Sequence, residues 1–128
     1  MAIRIVRLGS DRHPDEGARI GTVRRPPRGV PRSEFASRNY YDVWFPLLAP
    51  SPETIKLGQA ASSDRDWARF VKRYRAEMSR ADARSALNLL AGLSRDANFS
   101  VGCYCENEAR CHRSVLRELL REHGALVI

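Results

Sequence analysis

The sequence has few cysteines, almost no lysine and no long hydrophobic run, and each shortage excludes a class of protein. No stretch approaches the roughly 18 apolar residues of a membrane-spanning helix, and residues 1–12 contain no apolar signal region. The three cysteines all lie between Cys103 and Cys111, and this number and spacing do not fit a secreted disulfide framework. We therefore expect a soluble, cytoplasmic protein that contacts no membrane.

The remaining composition is that of a folded domain. The chain has 128 residues, of which 43% are hydrophobic and 29% are charged, so it is neither disordered nor too small to bury a core. No internal repeat, linker or low-complexity segment divides it. We expect residues 1–128 to form a single domain.

The positive charge is carried almost entirely by arginine. Only two of the 22 basic residues are lysines, Lys56 and Lys72, and the formal net charge is +7. The rigid guanidinium fork suits phosphate and carboxylate groups, so the composition favours an anionic partner, either a small molecule or a nucleic acid. A coding bias toward arginine explains the same total without any function.

The hydrophobic pattern predicts strands at both ends of the chain and helices in the middle. Short apolar or alternating segments, typical of strands, occupy residues 3–8, 18–23, 40–48, 99–105 and 125–128. Ser51 and Pro52 form a helix start signal, and apolar stripes at helical spacing cover residues 67–78, 83–93 and 115–120, with a stop at Gly124. The order strand, loop, helix, strand at the C-terminus predicts an α/β fold: a small, mostly parallel sheet flanked by helices, in a Rossmann-like three-layer domain.

One segment concentrates the residues that can carry chemistry. Residues 103–113 read CYCENEARCHR and contain all three cysteines, one of three histidines and two arginines. Ligands of open α/β folds bind beyond the carboxyl ends of the strands, and the helix that follows presents its positive end there. An anion held by Arg113 or Arg110 is therefore expected at this point.

Several interpretations of this segment remain open. The first is a reactive thiol, Cys105 or Cys111, with His112 as acid or base. The second is a metal site whose ligands are Cys103, Cys105, Cys111 and His112, although the C-x-C-x5-C-H spacing departs from that of common zinc sites. The third is an anion pocket in which the cysteines only pack. A purely structural arrangement has buried thiols, His112 bonded to a backbone carbonyl and a solvated Arg113.

The segment CYCENEARCHRSVLRELL resembles the domain-of-unknown-function 488 family, small bacterial and archaeal α/β proteins that include YeaO-like members. The family pattern of Cys-x-Glu followed by Cys-His-Arg is matched by Cys105, Glu106, Cys111, His112 and Arg113. A weaker match near the start consists of Arg24, Pro27, Arg28 and Gly29, with Val23 and Pro26 where many members have Asp and Trp. The resemblance implies an α/β fold and a candidate cleft, but no established activity.

Together these observations predict one cleft in which residues 24–29 and 105–113 meet. The predicted catalytic residues are Cys105, Cys111 and His112, and the predicted ligand-binding residues are Arg24, Arg28, Glu106 and Arg113. No cofactor is predicted. The main hypothesis is binding of a phosphorylated or nucleotide-like anion. The alternatives are a nucleic-acid-binding module that uses surface arginines, a cysteine-dependent enzyme, and a zinc-stabilised accessory protein. Arg24 and Arg28 have a structural alternative, which is pairing with Asp42, Glu77 or Glu106.

Overall fold

The computed structural model describes residues 1–128 as one α/β domain. Its elements, in chain order, are β1 (Ile3–Arg7), β2 (Ala18–Gly21), β3 (Val43–Trp44), α1 (Pro52–Gln59), α2 (Asp64–Met78), α3 (Ala81–Leu93), β4 (Phe99–Cys103) and α4 (His112–Glu122). Short 3-10 turns lie at Arg32–Glu34, Pro46–Leu48 and Glu108–Arg110. None of the helices combines the length and the hydrophobicity that a membrane-spanning segment needs.

The four strands form an all-parallel sheet in the order β1-β4-β2-β3. Strand β4 lies between β1 and β2, with Phe99 opposite both Ile3 and Ala18, and all five of its residues are buried. The predicted α/β class with a small parallel sheet is confirmed. Because β4 is an inner strand, the segment that follows it lies at the carboxyl ends of the strands, near the middle of the sheet.

Local sequence signals explain where the helices begin and end. The Ser51 hydroxyl accepts a hydrogen bond from the backbone N–H of Thr54, and Pro52 occupies the first helical position of α1. Helix α4 stops before Gly124, whose φ of 89° is a conformation that glycine adopts without strain. The predicted helix start at Ser51 and stop at Gly124 are confirmed.

All five predicted strand segments are shorter in the structure, although β1 and β2 lose only one and two residues at their ends. Within residues 40–48 only Val43 and Trp44 pair with β2, because Pro46 has no N–H to donate and begins a 3-10 turn. Strand β4 ends at Cys103 and does not reach residue 105. The C-terminus contributes a single parallel bridge between Ile3 and Val127.

The two faces of the sheet are covered differently. The helices share one apolar core with Ile3, Phe99 and Val101. Side chains alternate along a strand, so Ser100 points to the opposite face, where its hydroxyl donates to the buried carboxylate of Glu16 at 2.7 Å. Loops cover this second face, so the third layer of the domain consists of loops and contains no helix.

Candidate functional site

The residues singled out by sequence lie where the sheet topology predicts, at the carboxyl end of the central strand. Cys103 is the last residue of β4, Cys111 is the N-cap of α4, and His112 and Arg113 begin that helix. Cys103 and Cys111 are buried, Cys105 is exposed on the connecting loop, and all three are free thiols. We call these five residues the Cys–His–Arg site.

The imidazole of His112 is held in one orientation by the backbone of β2. Its Nε2 lies 2.8 Å from the carbonyl oxygen of Thr22. Because a carbonyl only accepts hydrogen bonds, Nε2 carries the proton and the lone pair of Nδ1 is free. Nδ1 lies 3.8 Å from the sulfur of Cys111. Burial lowers the pKa of His112 to about 4, so the ring is neutral at physiological pH.

The sulfur atoms differ in environment although they are close together. The pKa of Cys105 is held well below the usual thiol range, because the neighbouring thiols of Cys103 and Cys111 stabilise its thiolate and Arg113 adds a positive charge. The pKa of Cys103 is raised by its hydrogen bonds with the same two cysteines and by burial. The pKa of the exposed thiol is thus lowered, whereas the pKa values of both buried thiols, Cys103 and Cys111, are raised.

Arg113 is buried without a carboxylate partner. It is 5% exposed, and none of the seven ion pairs in the structure includes it. One terminal nitrogen, Nη2, donates to the carbonyl oxygen of Cys105 at 2.5 Å. Its Nε is buried and has no hydrogen-bond partner. Sequence alone left open whether this residue is solvated, and the structure places it inside.

The other predicted ligand-binding residues, Arg24, Arg28 and Glu106, are more exposed to solvent than Arg113. The guanidinium of Arg24 donates to the carbonyl oxygens of Ala49 and Pro50 at 3.0 and 3.2 Å. Arg28 is exposed, and neither arginine forms an ion pair, so the structural alternative of carboxylate partners for Arg24 and Arg28 is not observed. Glu106 is exposed and lies 3.5 Å from Arg7.

Residues 24–29 and the loop after β4 are joined by a hydrogen bond between two residues that were not among the predicted site residues. The Tyr104 hydroxyl donates to the carbonyl oxygen of Arg25 at 2.8 Å, which ties residues 24–29 to the loop after β4. Arg110 is directed away from the site. It pairs with Asp64 at 2.6 Å, and its guanidinium lies 5.6 Å from the ring centre of Trp67. Of the two arginines named for the anion, only Arg113 is without an acidic partner.

Two features beside the site go beyond the sequence prediction. The structural alternative has His112 bonded to a backbone carbonyl, and the structure shows that bond, but the sequence gives no signal that the carbonyl belongs to Thr22. The second feature is Tyr41, which packs in one apolar cluster with Cys103 and Cys111 and whose buried hydroxyl has no partner. Tyr41 also lines a surface cavity of about 590 Å³. The other lining residues of this cavity are Pro26, Val30, Arg32, Ser33, Phe35, Ala36, Asp42 and Trp44.

Comparison with known proteins identifies a family but no characterised relative. The model of a protein family described as "Active DUF488-N3 subclade" matches residues 3–124, which is nearly the whole chain. No curated protein matches the sequence. No solved structure matches it either. The family match covers both the sheet and the Cys–His–Arg site.

Proposed function

The chain belongs to the domain-of-unknown-function 488 family, and from this premise we propose that it binds an anionic ligand, phosphorylated or nucleotide-like, at the Cys–His–Arg site. The observation that carries the proposal is Arg113, a buried guanidinium with an unpartnered Nε and no acidic neighbour. An arginine keeps its charge inside a protein, and buried charges are normally paired. No carboxylate of this chain pairs with Arg113, and although the Cys105 sulfur lies near it, the buried Nε still has no partner, which a bound anion would supply.

The position of Arg113 adds a second attraction for an anion. It lies in the first turn of α4, where the helix dipole places partial positive charge. The N-cap residue Cys111 makes no side-chain capping hydrogen bond to the helix. A phosphate oxygen at this point accepts from the guanidinium and also benefits from the dipole.

A second candidate function is cysteine-dependent catalysis on the same ligand. The observation that favours it is the exposed thiol of Cys105, whose backbone carbonyl accepts the hydrogen bond from Arg113. A group bound at Arg113 therefore lies beside a thiol that solvent reaches. The description of the matching subclade as active agrees with this candidate.

The test is calorimetric titration at low salt with inorganic phosphate and with adenosine monophosphate. We compare the native chain with Arg113→Gln and with Arg121→Gln as a matched control, since Arg121 is an exposed arginine of the same helix. We expect one site that Arg113→Gln weakens at least tenfold and that Arg121→Gln leaves unchanged. Ligand binding is also expected to slow alkylation of Cys105.

Two results overturn the proposal. One is the absence of saturable binding of either probe to the native chain. The other is equal weakening by both substitutions with a steep dependence on salt, which is the behaviour of diffuse binding to surface arginines, as in a nucleic-acid-binding protein. Substitution Cys105→Ser separates the two candidate functions when turnover is measured beside binding: a catalytic thiol predicts that the native chain hydrolyses adenosine monophosphate and that the variant binds it without hydrolysis, whereas a binding site alone predicts hydrolysis by neither.

A further inference from the structure

Three metal-ligating side chains meet beneath the loop that follows β4. The sulfurs of Cys103 and Cys111 and a ring nitrogen of His112 all lie within 4.8 Å of one another, and all three residues are buried. Each is fixed by regular structure: Cys103 ends β4, Cys111 is the N-cap of α4, and His112 is its first residue. The backbone of β4 and α4 therefore fixes where the three side chains begin, and their burial limits how far they can turn.

The ring of His112 is oriented as in a metal-binding histidine, with one nitrogen bonded to the backbone and the other directed toward a cysteine sulfur. Its Nε2–H donates to the carbonyl of Thr22 at 2.8 Å, and the N–H and hydroxyl of Thr22 both bond the carbonyl of Gly102 at 3.0 Å. Histidines that bind metals typically donate their second nitrogen in this way, which fixes the tautomer and the ring plane. The remaining lone pair, on Nδ1, points toward the Cys111 sulfur.

The donor atoms and their separations select the ion. Two thiolates and one imidazole are ligands that zinc prefers. With zinc–sulfur and zinc–nitrogen distances of about 2.3 and 2.0–2.1 Å, ligand atoms around a tetrahedral zinc lie about 3.5–3.8 Å apart. The observed distance between the Cys111 sulfur and His112 Nδ1 is 3.8 Å. Small shifts of the side chains complete the coordination.

We propose that Cys103, Cys111 and Nδ1 of His112 bind one Zn²⁺ ion. Cys105 is exposed and is not part of the group of three, so the proposal leaves the fourth coordination position to water or to a ligand from solution. Binding replaces two thiol protons by the metal and releases both to solvent, while His112 binds as the neutral ring. The inference goes beyond the anion site and holds whether or not an anion binds.

The experiment is zinc stoichiometry by native mass spectrometry on the reduced chain, purified without chelator and after addition of zinc. We expect the native chain to bind one zinc ion. The affinity for zinc should be at least tenfold lower in each of the variants Cys103→Ser, Cys111→Ser and His112→Gln. His123→Gln is the matched control, because His123 is a half-buried histidine at the opposite end of α4 whose Nδ1 lies 2.6 Å from Oδ1 of Asn88. Arg113→Gln should keep its zinc, so failure of the anion proposal and failure of this one are distinguishable.

A second measurement needs no variant that risks misfolding. Cobalt added to the native, zinc-free chain is expected to give thiolate-to-cobalt charge-transfer absorption and the intense visible bands of a tetrahedral site. The inference is overturned if the native chain takes up neither zinc nor cobalt, or if the three ligand variants retain zinc. Complete loss of zinc in Cys105→Ser also overturns the assignment of three ligands.

Discussion

Two arginines of this protein are buried, and they differ in how many of their N–H groups are hydrogen-bonded. Arg19 is fully buried, and all five of its N–H groups are bonded, to both oxygens of Glu16 and to the carbonyl oxygens of three loop residues. Arg113 is nearly as buried, yet it makes one hydrogen bond, has no acidic partner and leaves Nε unbonded.

The difference lies in the number of acceptors that the chain itself places around each guanidinium group. The environment of Arg19 comes entirely from this chain, since the loops on the second face of the sheet carry the acceptors that it needs. Around Arg113 the chain provides one carbonyl acceptor and leaves Nε unbonded, which is why we propose an anionic ligand there. A residue type is therefore a weak guide to role, and the hydrogen-bond count of the buried group is a strong one.

The largest expected effect comes from breaking the Arg19 pair. In Arg19→Gln the carboxylate of Glu16 stays buried without its partner, and loss of one member of a buried ion pair costs about 3–5 kcal/mol. We expect a drop of that size in the free energy of unfolding measured with urea. Arg75→Gln is the surface control, because its pairs with Glu118 and Glu122 are exposed and contribute about 1 kcal/mol or less. Equal losses in the two variants contradict the comparison.

Acid should weaken the same pair. Burial alone raises the pKa of Glu16, but hydrogen bonds from Arg19 and Ser100 outweigh it and lower the pKa to about 2, from an ordinary value of 4.5. The stabilisation is therefore complete above about pH 4.5 and is lost as pH falls toward 2, for a total of about 3 kcal/mol.

Urea unfolding measured across this pH range checks the prediction. Glu16→Gln should show a shallower loss of stability on acidification, with a residual slope from Asp42 and Glu77, whose pKa values are also lowered. An unchanged slope in the variant assigns the acid sensitivity to other groups.

Ligand-linked stability sharpens the comparison from the other side. A ligand at 100 times its dissociation constant stabilises the folded state by about 2.7 kcal/mol. We expect phosphate or adenosine monophosphate to raise the melting temperature of the native chain and, equally, that of the control variant Arg121→Gln, in which Arg19 and Arg113 are both present. Arg113→Gln should show no such rise, and a rise of native size in that variant places the anion elsewhere.

The smallest effect is expected for Arg113→Gln without ligand. The substitution removes one hydrogen bond to the carbonyl of Cys105, worth about 1 kcal/mol, and also removes a buried charge that the chain leaves unpaired. These changes oppose each other, so the free energy of unfolding should shift by about 1 kcal/mol or less. A loss as large as that of Arg19→Gln would show that Arg113 is structural.

The sequence predicts the placement of the site better than its chemistry. The apolar stripe of α4 orients His112 toward the core, and the parallel topology brings Cys103 and Cys111 to one edge of the sheet, so both follow from periodicity. The burial of Arg113 does not follow, because it depends on how the loop after β4 folds back over the helix. The partnership of Arg19 with Glu16 is equally hidden, since a buried ion pair and a solvated one look alike in sequence.

The boundaries of the elements show the same limit. The start of α1 is encoded by adjacent residues, Ser51 and Pro52, and is predicted correctly. The length of β3 depends on how far its neighbour β2 can accept pairing before Pro46 interrupts it, and that is a property of two distant segments. Local signals therefore predict helix ends well, and strand ends less well.

The brevity of β3 has a consequence for behaviour at high concentration. An outer strand with free N–H and C=O groups invites pairing with a second molecule, and Val43 and Trp44 are both exposed there. Only two residues form the strand before Pro46, so a strand from a second molecule could make very few backbone hydrogen bonds with β3. At the other edge, the N–H of Ile3 bonds the carbonyl of Leu126 and the N–H of Ile128 bonds the carbonyl of Ile3. Growth of the sheet by addition of a further strand is thus opposed by the shortness of β3 at one side and, at Ile3 of β1, by the chain's own C-terminal residues.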